Sequence, residues 1–334
     1  MTEAASTRIR PAAMSGATAV REETLSFPSA SGDAQVHVRL WMPESIEPRG
    51  IVQIVHGMAE HIGRYAPFAR RLAEAGYVAA GHDHLGHGAT VPPERHGVLP
   101  ARDGADILID DVHTLRGLLD ERHPGLPHVI FGHSMGSFVT RCELGRAGAG
   151  LDGAIICGTG QVPAVATGAG RVLARAITAV AGDAHRSALL HHLALGGGSR
   201  RIKEPQTPVD WISASVENVD AYLADDLCGF TFSAGGFSSL FALTLEACSS
   251  GAFKGIPSTL PLLFIAGAED PIGSYGAGVR KAAGRARDAG VSDVTCTIYP
   301  AMRHEILNEA AGAAVMEDVL AWLEEHVDGQ RADA

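Results

Sequence analysis

The chain has 334 residues, 46% of them hydrophobic, and a formal net charge of −11 at pH 7. This acidic balance, without any block of lysine or arginine, argues against a nucleic-acid partner. Five cysteines are dispersed without paired spacing, which predicts free thiols and a reducing, cytoplasmic location. The length allows either two domains or one α/β domain that carries an insertion.

The N-terminal residues 1–20 are rich in Ala, Ser and Thr and lack an apolar run long enough for a signal peptide. We expect a flexible leader, within which Met14 is an alternative start. No transmembrane helix is expected, because Arg171 and Arg175 interrupt the most apolar candidate, residues 161–181.

Strand and helix patterns then alternate along the first half of the chain. Alternating apolar and polar residues at 23–28 and 35–42 predict an antiparallel hairpin at a sheet edge. Short apolar runs that alternate with helical periodicity indicate a mostly parallel, doubly wound sheet. In order, these patterns predict a strand at 51–55, a helix at 64–75, a strand at 77–80, a helix at 103–122 and strands at 128–131 and 151–157.

The alternation stops at about residue 158 and resumes at about residue 260. An insertion of this length between core strands is expected to form a cap over the site. We therefore divide the chain into a leader (1–20), a core (21–157 and 260–330) and a cap (158–259). After the cap, the patterns predict a strand at 260–266, a helix at 274–288, a strand at 294–299 and a closing helix at 305–326.

A strand that turns sharply into a helix carries the run Gly132-His133-Ser134-Met135-Gly136. Such a Gly-x-Ser-x-Gly turn lifts the serine hydroxyl clear of the sheet, and its glycines avoid a collision with the adjoining strand and helix. The following N–H groups lie at a helix N-terminus, where they favour an oxyanion. Ser134 is therefore the candidate nucleophile, with Gly132, His133 and Gly136 forming the nucleophile elbow.

A serine nucleophile needs a histidine base, and the histidine needs a carboxylate to orient it. In this fold the order along the chain is Ser, acid, His, and ligand chemistry belongs at the carboxyl ends of the parallel strands. Asp270 and His304 follow the last two predicted strands in that order. Glu269 is the rival acid, but a residue followed by a proline at a strand end is typically held in a turn, which favours Asp270.

Two histidine-rich stretches follow the first two buried strands. His56-Gly57-Met58-Ala59-Glu60-His61 occupies the place of the second oxyanion donor, so we assign the backbone N–H groups of Met58 and Met135 to the oxyanion hole. His82-Asp83-His84-Leu85-Gly86-His87-Gly88 has the rival interpretation of a metal site. A metal-ligating pattern would need aspartate in place of Gly86, so a structural role in shaping the loop is preferred.

These blocks resemble the monoacylglycerol lipase and lysophospholipase-like serine hydrolases of the α/β-hydrolase superfamily. The resemblance also includes Gly267-Ala268-Glu269-Asp270-Pro271 and Arg303-His304-Glu305, and it spans residues 50–310. It implies a carboxylic-ester hydrolase acting on single-chain lipids, with Ser134, Asp270 and His304 as the triad. It implies no cofactor and no metal.

Other functions stay open at this point. A short-chain carboxylesterase and an aminopeptidase of related fold are alternatives, the latter needing a carboxylate to bind the substrate's amino terminus. A catalytically silent ligand-binding protein is the alternative from another class. The cap candidates for the carboxylate are Glu204, Asp210, Glu217, Asp220, Asp225 and Asp226.

The cap helix predicted at 161–181 carries apolar residues at helical spacing. They are expected to face an acyl chain or a membrane surface, and packing against the core predicts the same spacing. The residues are Val162, Val165, Val172, Leu173 and Ile177. The pair His191-His192, also in the cap, is expected to be solvated.

Overall fold

A computed structural model describes residues 19–328, which form an eight-stranded sheet with helices on both faces. Most of the predicted leader, including Met14, lies outside the described residues, and the first strand already begins at Val20. The strands are β1 (Val20–Pro28), β2 (Gln35–Pro43), β3 (Gly50–Val55), β4 (Tyr77–His82), β5 (His128–His133), β6 (Gly153–Cys157), β7 (Leu262–Gly267) and β8 (Val294–Tyr299).

The strand order across the sheet is β1-β2-β4-β3-β5-β6-β7-β8. The pairs β1–β2 and β2–β4 are antiparallel, and every other neighbouring pair is parallel. The predicted hairpin therefore forms one edge of the sheet, and the prediction of an α/β-hydrolase fold is confirmed.

Nine α-helices occur within residues 19–328. Four of them, α4 to α7, lie between β6 and β7, in the segment that the sequence assigns to the cap. The helices are α1 (Ala66–Glu74), α2 (Gly104–Arg122), α3 (Met135–Ala147), α4 (Ala164–Ala181), α5 (Ala188–Leu195), α6 (Val216–Ala224), α7 (Ala234–Ala247), α8 (Ala277–Asp288) and α9 (Gly312–Leu323).

Strand β5 shows why the central strands are apolar throughout: both of its faces are covered. Val129 and Phe131 point to the face where Phe68 of α1 and Trp322 of α9 pack. Ile130 points to the opposite face, where α2, α3 and the cap helix α7 contribute to one continuous cluster. Because α7 shares this core cluster, the inner part of the cap belongs to the same hydrophobic core as the sheet helices.

The closing helix differs from the prediction at 305–326, because α9 begins only at Gly312. The carboxylate of Glu309 accepts hydrogen bonds from the backbone N–H groups of Arg303 (2.8 Å) and Ala214 (2.9 Å). These bonds hold the segment after β8 in an irregular path and a short 3-10 turn, so its backbone does not join the helix.

The predicted cap helix begins at Ala164, since Pro163 caps it with an extended backbone. Within residues 19–328, α4 is the one helix long and apolar enough to span a membrane by length and composition. This corrects the expectation that Arg171 and Arg175 exclude such a stretch. In the fold, α4 packs on α7 along one face, which its buried Thr167 and Ala174 identify.

The sequence patterns do not predict α5, which follows α4 in the cap. Its N-cap is Ser187, whose side chain accepts a hydrogen bond from the N–H of Leu190. The expectation that both cap histidines are solvated holds only for His192. His191 is half-buried, with its ring 6.4 Å from that of Phe237.

Candidate active site

Ser134 occupies the turn between β5 and α3 with φ of 55° and ψ of −119°. This left-handed backbone is rare for a residue with a side chain and is typical of a strained functional turn. A Cβ at Gly132 would lie 2.3 Å from the hydroxyl of Thr140, and one at Gly136 would lie 2.1 Å from the carbonyl of Val55. Both flanking glycines are therefore required by the close approach of neighbouring atoms, as the predicted elbow needs.

Asp270 and His304, which follow β7 and β8, meet beside this turn. Oδ2 of Asp270 lies 3.0 Å from Nδ1 of His304, and both side chains are buried. The contact has the distance but not the direction of a hydrogen bond, and such contacts often tighten only when substrate binds. Nε2 of His304 has no hydrogen-bond partner among the described residues, which leaves it available to a substrate or a nucleophile.

The rival acid, Glu269, lies elsewhere. Its side chain is 55% exposed, and its carboxylate is 3.9 Å from the guanidinium of Arg303. Asp270 instead is fully buried, and its Oδ1 accepts a hydrogen bond from the N–H of Ile272 at 2.8 Å. The structure thus brings Asp270, and not Glu269, to the histidine.

The predicted oxyanion loop after β3 lies directly against Ser134. A Cβ at Gly57 would lie 3.0 Å from Cβ of Ser134, and both Met58 and Met135 line the same cavity as the serine. The following Ala59 has φ of 55°, so the loop turns sharply there. The structure therefore brings the two predicted oxyanion residues to the serine.

The histidine-rich loop after β4 supports the oxyanion loop. The backbone N–H of His84 donates to Nε2 of His56 at 3.0 Å, and the N–H of Ala59 donates to Nε2 of His87 at 3.3 Å. The carboxylate of Asp83 accepts hydrogen bonds from the N–H groups of Ile62 and Ala89. These contacts agree with the structural role expected for this loop.

Within residues 19–328, one group of side chains could hold a metal ion by distance alone. Its ligand atoms lie within 4.8 Å of one another and belong to His61, Asp225 and Cys228. Nδ1 of His61 accepts from the N–H of Gly63, so the proton of a neutral ring lies on Nε2, 2.9 Å from Asp225. Burial also raises the pKa of the Cys228 thiol. The three side chains are therefore best described as a hydrogen-bonded His61–Asp225 pair beside the protonated thiol of Cys228.

Sequence reasoning missed a buried polar network beneath the elbow. Oε1 of Glu60 accepts from the N–H of Gly57 (2.5 Å) and the hydroxyl of Tyr65 (2.8 Å), and it lies 3.3 Å from Nδ1 of His133. Nε2 of His133 lies 3.2 Å from the carbonyl oxygen of His304. A signal for this network was present in the sequence, because both residues lie close to predicted site residues. Glu60 is three residues after Gly57 of the oxyanion loop, and His133 directly precedes Ser134.

Glu60 and His133 stabilise each other's charged forms. Burial opposes ionisation of Glu60, but His133, Arg64 and Tyr65 outweigh it and lower the pKa of this carboxyl to about 2. Burial likewise opposes a charge on His133, and the hydrogen bond and charge of Glu60 outweigh it and raise the pKa of the imidazole. Both shifts favour the charged forms of Glu60 and His133, which lie side by side next to the nucleophile.

Arg64 connects this network to the cap. Its guanidinium donates to Glu305 (2.5 Å) and to Asn218 of α6 (3.0 Å), and it stacks over the ring of Tyr222. The Tyr222 hydroxyl in turn donates to the carbonyl of Ala59 at 3.0 Å. Helix α6 is thereby tied to both the oxyanion loop and the segment after His304.

Ser134 and His304 open into a cavity of about 760 Å³ beneath the cap, a size typical of small-molecule sites. The loops after β3 and β8 contribute Glu60 and Glu305 to its wall. Helices α3, α4 and α7 contribute apolar side chains, and Trp211 of the cap lies 5.2 Å from the His304 ring. The apolar lining includes Phe138, Ala166, Leu240, Phe241 and Ile272.

A family model described as serine aminopeptidase, S33, matches residues 46–311. The chain belongs to this family. This S33-family protein is 30% identical over 297 residues to monoacylglycerol lipase of Mycolicibacterium smegmatis, a match that covers 89% of this chain and 95% of the relative.

Solved structures agree with this membership. A thermostable carboxyl esterase from Bacillus coagulans matches with a TM-score of 0.86 and 31% identity, over 91% of this chain and 98% of the esterase. A soluble variant of monoglyceride lipase from Saccharomyces cerevisiae matches with a TM-score of 0.67 over 96% and 99%, and at 19% identity it supports the fold alone. The resemblance to monoacylglycerol lipase-like α/β-hydrolases is confirmed, and the S33-family protein is a hydrolase.

Proposed function

We propose that the protein is a serine carboxylic-ester hydrolase acting on single-chain lipid esters, either monoacylglycerols or lysophospholipids. The observation that carries the proposal is the meeting of three strand-end elements at one cavity. The strained Ser134 turn follows β5, while Asp270 and His304 lie 3.0 Å apart after β7 and β8. This arrangement and chain order support a Ser-His-Asp triad.

In the proposed reaction, Oγ of Ser134 attacks the ester carbonyl while Nε2 of His304 takes the hydroxyl proton. Asp270 stabilises the imidazolium, and the N–H groups of Met58 and Met135 donate to the oxyanion. Collapse of the tetrahedral intermediate breaks the ester bond, and His304 gives its proton to the leaving alcohol. Water then attacks the acyl-enzyme by the same route, releasing the fatty acid and restoring the serine.

The cavity supports a lipid ester as the substrate class. Its apolar wall on α3, α4 and α7 suits an acyl chain, which gains about 0.8 kcal/mol for each CH₂ removed from water. Its polar wall, near Glu60 and Glu305, suits a hydroxylated leaving group. A monoacylglycerol or lysophospholipid has both parts, and the similarity to the M. smegmatis monoacylglycerol lipase favours the same class.

The family carries the name aminopeptidase, but that function needs a carboxylate that is free to bind the ammonium group of the substrate. The carboxylates near the cavity disfavour it. Oε1 of Glu60 is already bonded to Gly57, Tyr65 and His133, and Oε2 of Glu305 to Arg64, so these two oxygens are not free to bind an ammonium group. The six cap carboxylates considered in the sequence lie outside the cavity wall formed by residues 19–328. Ester hydrolysis does not need such a group.

The test is hydrolysis of p-nitrophenyl esters from acetate to palmitate, with monoacylglycerol and lysophosphatidylcholine, by wild type and Ser134→Ala. A Ser134-dependent preference for medium or long chains is expected. Activity confined to acetate and butyrate would support a small-ester hydrolase instead. Labelling of Ser134 by a fluorophosphonate is expected as well, and an unlabelled serine would support a silent binding protein.

We also propose that the outer cap makes transient contact with an anionic lipid surface. Val165, Val172 and Val180 of α4 are 86%, 72% and 90% exposed, and Leu189 and Leu193 of α5 are exposed beside them. Residues 161–207 carry six Lys/Arg against two Asp/Glu, in a chain of net charge −11. Exposed apolar side chains with flanking basic groups are typical of helices that bind at membrane interfaces.

The five apolar residues of the cap helix predicted at 161–181 lie in three different environments. Val165 and Val172 face solvent, Val162 lines the cavity, and Leu173 and Ile177 pack against the core cluster. A triple replacement of Val165, Val172 and Val180 by serine should reduce binding to vesicles that contain phosphatidylglycerol, while p-nitrophenyl butyrate hydrolysis stays unchanged. The matched control is Ile46→Ser, an exposed apolar residue on the core. Equal binding by both variants would contradict the proposal.

A further inference from the structure

We propose that His133 is a positioning residue: together with Glu60, it fixes the backbone of His304 relative to the oxyanion loop. The inference rests on the proposed function, because it assumes that His304 is the catalytic base. It assigns a role to two buried groups that do not themselves contact the reacting atoms.

Each ring nitrogen of His133 faces an oxygen. Nδ1 lies 3.3 Å from the carboxylate of Glu60, and Nε2 lies 3.2 Å from the carbonyl oxygen of His304. Carboxylate and carbonyl oxygens accept hydrogen bonds, so both contacts are satisfied at once only when both nitrogens carry a proton. The geometry therefore favours the imidazolium form of His133, with the carboxylate of Glu60 as its counter-ion.

The position of this ring explains what the pair does. The proposed reaction uses three loops, after β3, β5 and β8, that no short stretch of chain connects. His133 is adjacent to Ser134 in the chain, reaches Gly57 of the oxyanion loop through Glu60, and bonds to the His304 peptide. One side chain thus sets the spacing of all three loops.

Such spacing matters because catalysis depends on near-attack geometry, and a misplacement of about 1 Å costs about a hundredfold in rate. The ring is also buried, at 5% exposure, and packs 4.7 Å from the His304 ring. Water is therefore a poor substitute for the lost donors. Removal of either partner should slow turnover without a matching loss of substrate affinity.

The experiment compares His133→Phe, which keeps the ring but removes both donors, with Glu60→Gln and the double variant, all in the full chain. The matched control is His128→Phe. His128 is a buried histidine at the opposite end of the same strand, with Nδ1 2.6 Å from Asp120. Steady-state kcat and KM on p-nitrophenyl butyrate and the melting temperature are measured for each protein.

We expect each single variant at the pair to lower kcat about tenfold to a hundredfold with KM within about twofold. The double variant should be no slower than the slower single variant, because both remove one coupling. His128→Phe should lower the melting temperature with kcat unchanged. Additive losses, or a kcat that falls equally in the control, would overturn the proposal.

A second measurement does not depend on variants that fold. In ¹⁵N-histidine-labelled wild type at neutral pH, both ring nitrogens of His133 should be protonated, and a ring with one bare nitrogen would overturn the two-donor arrangement. The proposed function fails separately: if Ser134→Ala keeps its turnover and Ser134 escapes fluorophosphonate labelling, His304 is not the base of that reaction. The NMR result would still report on the Glu60–His133 pair.

Discussion

Buried polar groups are concentrated in and beside the loops after β3, β5, β7 and β8, whereas the outer cap helices α4 and α5 present apolar side chains to solvent. In the loops, Glu60, His133 and Asp270 are almost completely buried, and each lies within 3.3 Å of a polar partner. In the cap, Val172 and Val180 have no such packing. The difference indicates a site fixed by internal contacts beside a surface suited to an external apolar partner.

The largest effect is expected within the loops, at Asp270. Asp270→Asn should lower kcat by about 10⁴, since an amide no longer stabilises the imidazolium or the correct tautomer of His304. Glu269→Gln is the matched control and should remain within about twofold of wild type, because an exposed side chain outside the cavity makes no transition-state contact. Hydrolysis of p-nitrophenyl butyrate measures both. Similar losses in the two variants would contradict the assignment of Asp270.

The next effect concerns the backbone of the elbow. Gly136→Ala places a Cβ about 2.1 Å from the carbonyl of Val55, so the free energy of unfolding should fall by about 3 kcal/mol. Urea unfolding is the measurement, with Gly117→Ala as the control. Gly117 lies in α2 with no atom near its added Cβ, so its substitution should not destabilise. A stable Gly136→Ala protein would show that α3 can move away from β3.

A pH effect of intermediate size should arise beside the oxyanion loop. Burial lowers the pKa of His82 to about 3 and that of His87 to about 4, and it lowers those of His56 and His84 as well. Below about pH 6.5 these histidines are protonated in the unfolded chain but stay neutral in the folded chain. The free energy of unfolding is therefore highest above about pH 6.5 and decreases as the pH falls toward the pKa values of the folded state. The slope is about 1.4 kcal/mol per pH unit for each histidine.

His82→Phe tests this slope, because neither ring nitrogen of His82 has a hydrogen-bond partner within residues 19–328. The variant should make the loss of stability between pH 6 and pH 4 shallower by about one proton. Urea unfolding at several pH values gives the slope. An unchanged slope would mean that His82 binds a proton in the folded state.

Much of the architecture follows from pattern in the sequence. Short apolar runs predicted the parallel strands, and the elbow motif with strand-end Asp270 and His304 predicted which residues meet. Local signals, however, do not reveal partners distant in the chain. Glu60, His133 and Glu305 acquire their roles only when β3, β5 and β8 become neighbours. The same holds for the late start of α9, which depends on hydrogen bonds that the N–H groups of Arg303 and Ala214 donate to the carboxylate of Glu309.

The cap was harder to predict, because α5 and α6 are short and the apolar residues of its helices face three environments. A local signal was nevertheless available. Ser187, Ser215 and Ser233 each accept a hydrogen bond from the N–H three residues later, which is the N-cap pattern of a helix start. It marks the beginnings of α5, α6 and α7. Hydrophobic periodicity alone did not separate these helices from loops.

The smallest expected effect lies in the cap and sharpens the contrast within a single helix. Gly168 of α4 has no atom within 4 Å of an added Cβ, whereas a Cβ at Gly170 would lie 3.0 Å from the ring of Phe241 on α7. Gly168→Ala should stabilise the protein by up to about 1 kcal/mol through helix propensity. Gly170→Ala gains the same propensity but must displace the Phe241 ring, so its net stabilisation should be smaller or negative. Thermal unfolding of both variants measures the difference. Equal stabilisation by the two would mean that α4 is only loosely held on α7, in which case the apolar face of the outer cap is free to move with the helix that carries it.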